Sequence, residues 1–207
     1  MKILKLKTFF AGAVLATTMA VNAQPAKITV DAAHPAHAIP ETLWGIFFED
    51  INLSADGGIY PELVRNRSFE DADTPVDWSF SSANGKSATT ISTADVHGQP
   101  VPLNAFNRKS LCVKADGAFT LENDGYWGMN IVKGDSYTLK LAARATGGFQ
   151  SPLAVRLVSS TGKELAAGKL SGFDGRWNYF TLQLAAKDGD PKAKLVLSDD
   201  GKGELYL

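Results

Sequence analysis

The apolar run Trp44-Gly45-Ile46-Phe47-Phe48 ends abruptly on two carboxylates, Glu49 and Asp50, and the chain then passes through Asp56-Gly57-Gly58. A strand that closes on acids delivers negative charge to one edge of a sheet. An ionised carboxylate placed there accepts hydrogen bonds from several hydroxyls at once, and such bonds are stronger than neutral ones. Spacing alone leaves two roles open for Glu49: contact with a hydroxylated ligand, or a cap on the strand or the turn that follows. For Asp50 a structural role, orienting Glu49 or holding the loop, is the stronger reading. Asp56-Gly57-Gly58 reads as turn chemistry, since glycine permits positive φ and Asp supports a turn. Asn66 and Arg67 read as a solvated polar pair at the end of a helix.

Other reactive groups offer less. His34, His37 and His97 lack the spacing of metal ligands, and the first two sit in a Pro/Ala-rich connector. Cys112 is the single cysteine and falls in the alternating stretch KSLCVKA, which suits a buried small hydrophobe. Nucleophile-elbow, phosphate-loop and dinucleotide fingerprints are absent.

The elements that must position these residues follow from pattern. Lys2, Lys5 and Lys7 precede an apolar run from Thr8 to Met19, and Val21-Asn22-Ala23 supplies small residues for cleavage, so residues 1–23 read as an export signal. Past that leader no apolar stretch approaches the roughly 18 residues of a membrane span. A formal charge of −1, made more negative once the leader's lysines are removed, argues against a nucleic-acid partner. With 207 residues, 44% of them hydrophobic, the chain has material for one large domain or two small ones.

Residues 24–72 read as a strand at Ile28 to Val30, a second at Leu43 to Phe48, and a short helix opened by Pro61 with Leu63 and Val64 on its apolar side. From residue 73 to 207 the texture changes to short strands separated by Gly, Asp, Asn and Ser. The clearest run from Tyr137 to Ala143, Leu153 to Val158, Trp177 to Leu184 and Leu195 to Leu197. Weaker ones lie at Val76 to Phe80, Thr89 to Ser92, Leu111 to Val113, Phe119 to Leu121 and Met129 to Val132. Their number and spacing predict an antiparallel jelly-roll sandwich. GKGELYL reads as a further strand with no polar tail, so the natural protein is expected to continue past Leu207.

The stretch LWGIFFEDINLSADGGIYPELVRNRSFED strongly resembles the opening of bacterial α-L-arabinofuranosidases of glycoside hydrolase family 51. The segments NDGYWGMNIVKGDSYTLKLAARA and GRWNYFTLQL resemble carbohydrate-binding modules of the family 4/9, galactose-binding-like type. The resemblance implies that Leu43 to Phe48 is the first strand of a (β/α)8 barrel, whose active site gathers at the strands' C-terminal ends. The expected architecture is therefore mostly β, a jelly-roll sandwich preceded by the first βα segment of an incomplete barrel. Glu49 then matches a carboxylate that hydrogen-bonds sugar hydroxyls. The family's retaining enzymes use two carboxyls, about 5 Å apart, and their acid/base glutamate follows an asparagine. No Asn-Glu pair occurs in this chain. No residue here is therefore assigned to catalysis, and the chain by itself is expected to be inactive.

A sugar-binding module lays aromatic rings against the apolar faces of sugars. Trp78, Tyr126, Trp127 and Trp177 are candidates for that role, each with a core reading beside it; Tyr126 and Trp127, in the turn-rich NDGYWGMN, are the ones chosen, whereas Trp177 reads as core. The implied partner is an arabinose-containing polysaccharide or oligosaccharide, met outside the cytoplasm, in a periplasm or beyond the cell. No cofactor is implied. A structural calcium ion is compatible with such a sandwich, but no ligand set is assignable, and oligomeric state is not legible. Two competing readings remain: a noncatalytic glycan-binding sandwich, and a structural sandwich that binds nothing.

Overall fold

Alternation of apolar and polar side chains is visible in Phe119-Thr120-Leu121-Glu122 and repeats through most of the C-terminal two thirds of the chain, and it is this period that lays down the sheets. The computed structural model describes residues 27–207 except 35, 39, 42, 44, 46, 56 and 57. Among the described residues there are eleven strands: β1 (Ser79–Ser82), β2 (Ala88–Thr93), β3 (Lys109–Asp116), β4 (Phe119–Asn123), β5 (Met129–Ile131), β6 (Ser136–Thr146), β7 (Leu153–Val158), β8 (Glu164–Leu170), β9 (Asn178–Ala185), β10 (Asp190–Asp199) and β11 (Lys202–Tyr206). One sheet runs β1-β4-β10-β7-β8, with β5 also on β10, and the other β2-β3-β11-β6-β9. Every pairing is antiparallel.

The two sheets bury one core between them. Leu111 and Val113 of β3, Leu121 of β4, Leu153 and Val155 of β7 and Leu205 of β11 are fully enclosed. Phe173 joins the sheets' edge to the core through ring contacts with Phe149 and Phe180. Cys112 is buried, as its alternating context predicted, and burial raises its thiol pKa. The expected jelly-roll sandwich is thus present.

Four elements differ from expectation. β8 was not read from the sequence. Residues 61–70 form turns instead of a helix. The reason lies in their partners: Asn123, fully buried, accepts from the Arg65 amide (3.2 Å) and donates to the Arg65 carbonyl (2.9 Å), while Asn66 and Phe69 hold φ of 47° and 59°. A right-handed helix cannot accommodate those torsions. The described residues of 28–30 and 43–48 belong to no strand; Trp44 and Ile46, and the leader at 1–23, lie outside the described residues. The chain divides into two units, 1–47 and 48–207, so residues 48–72 are grouped with the sandwich.

Segment 61–78 is fastened to that sandwich by side chains. Glu70 Oε1 accepts from the amides of Arg108 (2.9 Å) and Lys109 (3.0 Å), and Lys109 Nζ returns to the Ala72 carbonyl at 3.1 Å and to Asp73 at 3.0 Å. Trp78 is buried against Phe69, with ring centroids 5.5 Å apart, and its indole N–H donates to the Asn66 carbonyl.

Candidate functional site

Residues 49–60 make a compact loop. The Glu49 carbonyl accepts from the Ile51 amide (2.9 Å) and from Ser54 Oγ (3.0 Å), and Asp50 Oδ1 accepts from the Ala55 amide at 2.9 Å. Asp50 is therefore a loop-holding residue. The described bonds to Glu49 use its main-chain oxygen, and the residue is exposed. Return of the chain is closed by Ile59 and Tyr60, whose amides donate to Ser54 and Ala55 carbonyls. Gly58 is required here: a Cβ on it would stand 2.2 Å from the Ser54 carbonyl oxygen. Asp56 and Gly57 lie outside the described residues. Asn52 and Leu53 both hold left-handed φ, 54° and 60°, which costs energy for a leucine and recurs where a loop is shaped for contact.

Beyond that loop, Arg67 stacks over the Tyr60 ring at 5.6 Å and approaches Glu62 at 3.9 Å. Asn66 is not the solvated residue expected. It is buried, donates from Nδ2 to the Val76 carbonyl at 2.9 Å, and leaves Oδ1 enclosed without a partner.

The aromatic candidates sit together in the turn between β4 and β5. Two glycines with positive φ, Gly125 and Gly128, make that turn, and Gly128 lies so close to Lys192 that a Cβ would meet its Cα at 2.7 Å. Trp127 projects into solvent, 62% exposed, while Tyr126 is half-buried with its ring 6.3 Å from that of Trp127. Tyr126 lines a polar hollow of about 310 Å³ with Arg65, Asp77, Ser79 and Asp124. Arg65 and Asp77 pair across it at 3.3 Å. Nothing in the sequence spacing of Arg65 and Asp77 announces that meeting. Trp177, expected in the core, is half-buried instead: its indole N–H donates to the Val101 carbonyl at 3.0 Å, and Arg144 lies 5.7 Å from its ring.

A carboxylate on a shaped loop can accept hydrogen bonds from a polyol's hydroxyls, and an exposed aromatic ring can lie against the apolar face of a sugar. Among the described residues no group of three or more His, Cys, Asp or Glu could hold a metal ion, and no helix is long and apolar enough to cross a membrane.

No family model matches the chain. Pairwise comparison does find relatives: 198 residues align at 35% identity with α-L-arabinofuranosidase 1 of Arabidopsis thaliana, covering 87% of this chain and 28% of that protein. The chain is similar to α-L-arabinofuranosidases. An extracellular exo-α-L-arabinofuranosidase of Streptomyces chartreusis is 34% identical over 93% of the chain and 22% of its own length. Among solved structures, the arabinose-bound MgGH51 α-L-arabinofuranosidase superposes with a TM-score of 0.69 at 26% identity, over 84% of this chain and 29% of that one. The chain thus spans about a quarter of the length of these relatives.

Proposed function

We propose that this chain is part of an exported retaining α-L-arabinofuranosidase that releases terminal α-L-arabinofuranosyl residues from plant polysaccharides, with residues 73–207 forming a carbohydrate-binding module of the family 4/9 type. The observation that carries this reading is the extent of the likeness. Similarity to the Arabidopsis enzyme covers 87% of the chain, more than the sandwich alone supplies, so it reaches into the segment that contains the Glu49 loop. In this reading Glu49 accepts hydrogen bonds from the sugar's hydroxyls, its main-chain oxygen being held by Ile51 and Ser54 and the residue being exposed. The acid/base and the nucleophile are supplied by parts of the enzyme outside these residues.

The test compares this chain with the full-length protein on p-nitrophenyl α-L-arabinofuranoside. Turnover is expected only from the full-length protein. In it, Glu49→Gln is expected to lower kcat/KM by about 10- to 100-fold, the worth of one or two charge-assisted hydrogen bonds. Absence of hydrolysis by the full-length protein sinks the enzyme reading, and an unchanged kcat/KM in the variant removes Glu49 from the sugar site.

A second reading, glycan binding without hydrolysis, is favoured by the exposed Trp127 ring beside the Tyr126 hollow. Loss of a stacking platform predicts that Trp127→Ala weakens retention on an arabinan-containing affinity gel by about 5-fold or more. Equal mobility of variant and parent would mark the sandwich as structural at that loop.

A further inference from the structure

Asn123, the last residue of β4, is fully enclosed, and its side-chain amide is used to capacity. Oδ1 accepts from the amides of Arg65 (3.2 Å) and Gly125 (3.0 Å), and Nδ2 donates to the carbonyls of Arg65 (2.9 Å) and Asp77 (3.1 Å). One buried side chain thus fixes the main chain of three separate stretches. Close approach tightens the same place, since a Cβ on Gly125 would stand 2.7 Å from the Leu63 carbonyl oxygen. Asp77 holds a left-handed φ of 64°. Backbone strain of that kind persists only where the surroundings impose it, and it clusters at binding sites.

What these stretches line is the polar hollow of about 310 Å³, to which Arg65, Asp77, Ser79, Asp124 and Tyr126 bring polar groups. Its volume lies at the small end of the roughly 300–1,000 Å³ of ligand pockets, room for one sugar ring and not for a run of them. Arg65 Nε and Asp77 Oδ2 meet at 3.3 Å. A guanidinium carries five N–H donors and a carboxylate two acceptor oxygens, so the pair can donate to one hydroxyl and accept from its neighbour. Two carboxyl groups, Asp77 and Asp124, stand against one guanidinium in the walls, a balance that favours a neutral sugar over a uronate. The adjoining rings of Tyr126 and Trp127 are tilted by 42°, so they offer no single flat platform to an extended glycan.

We propose that this hollow is a binding site for one neutral sugar residue, its hydroxyls held by Arg65 and Asp77 and its ring beside Tyr126. The site is built jointly by the segment that precedes the sandwich and by the turn between β4 and β5. It therefore crosses the boundary at residue 72 that the sequence suggested, and a sandwich begun at residue 73 would lack the Arg65 wall. The inference rests on the reading of the sandwich as glycan-binding, to which it adds a location and a unit of recognition.

Titration of the isotope-labelled chain with methyl α-L-arabinofuranoside, followed by nuclear magnetic resonance, tests it. Resonances of Arg65, Asp77, Ser79, Asp124 and Tyr126 are expected to shift together and to saturate with a dissociation constant of about 1–10 mM, the range open to so small a ligand. Arabinopentaose should bind within about 3-fold of the single residue, and galacturonate about 10-fold more weakly or less. Asp77→Asn keeps a residue that tolerates left-handed φ, and Arg65→Gln leaves the main-chain bonds to Asn123 in place. Each is expected to weaken the arabinoside by about 10-fold with the melting temperature nearly unchanged. Shifts that fail to appear or that centre elsewhere overturn the proposal, as do a pentaose bound more tightly than stated, a galacturonate bound as well as the arabinoside, or two variants that bind like the parent. Retention on the arabinan gel is read on the same preparation. A chain retained there whose hollow ignores the arabinoside sinks this proposal alone, and a chain not retained whose hollow responds sinks only the module reading.

Discussion

Phe47, Phe48, Ile51, Ile59 and Tyr60 and the side chains Leu111 and Val113 of β3 and Leu205 of β11 are comparably apolar, yet their fates differ. The first set is exposed, Phe47 by 87% and Ile59 by 74%, whereas Leu111, Val113 and Leu205 are wholly enclosed. The difference lies in partners and not in propensity. Each strand of the sandwich finds its hydrogen-bonding neighbour and its facing sheet within residues 79–207. Gly45-Ile46-Phe47-Phe48 has the composition of a buried parallel strand, and such strands stand only between neighbours on both sides. No described residue of 43–50 is in a strand. Apolar pattern thus marks what a segment needs, and topology decides whether it is supplied.

The strongest way to break this comparison is to truncate one apolar side chain in each region. Leu205→Ala on β11 opens a cavity between sheets and is expected to cost about 2–5 kcal/mol. Ile59→Ala in the exposed loop is expected to change stability by about 0.5 kcal/mol or less in this chain. Urea midpoints measured side by side decide it. If the loop substitution costs as much as the core one, residues 48–60 are packed in solution and the contrast fails. Repeating the pair in the full-length protein sharpens the point, since Ile59 should become costly there if further residues of that protein cover it.

Legibility followed the same divide. The clear strands of the sandwich were readable because alternation survives wherever one face is buried and the other wet. β8 escaped because Glu164-Leu165-Ala166-Ala167-Gly168 carries small residues of low strand propensity. At Gly168 the opposite sheet explains the size: a Cβ there would stand 2.8 Å from the Leu182 side chain of β9. The turns of 61–70 were misread because the deciding partner, Asn123, lies far along the chain, and its bond to Arg65 has no trace in local pattern. Of the site, the exposure of Trp127 was visible in its turn-rich context, and Asp50's loop role in its position. The Tyr126 hollow was hidden, since Arg65 and Asp77 meet only through the fold.

The smallest effect concerns charge. If the sandwich is self-sufficient, its acid sensitivity arises from groups on its own strands, and Glu204 of β11 is one of them. Hydroxyls of Tyr206 (2.9 Å) and Thr146 (3.0 Å) both donate to Glu204 Oε2, which holds its carboxyl below the usual range. Burial, together with the same contact, raises the Tyr206 phenol. A carboxyl lowered on folding contributes stability above its unfolded pKa, and that contribution is lost as pH falls through its folded value. Asp199 has the opposite sign, because burial raises it, so its contribution weakens as pH rises through its own range. Glu204→Gln keeps an oxygen to accept from both hydroxyls but removes the titration. Between pH 6 and 3.5 the variant's melting temperature is therefore expected to fall less than the parent's, by about 2 °C or less given partial solvent screening. Parallel curves for the two proteins would show that the Tyr206 and Thr146 hydroxyls do not favour the ionised form, and the acid response would then have to be sought outside β11.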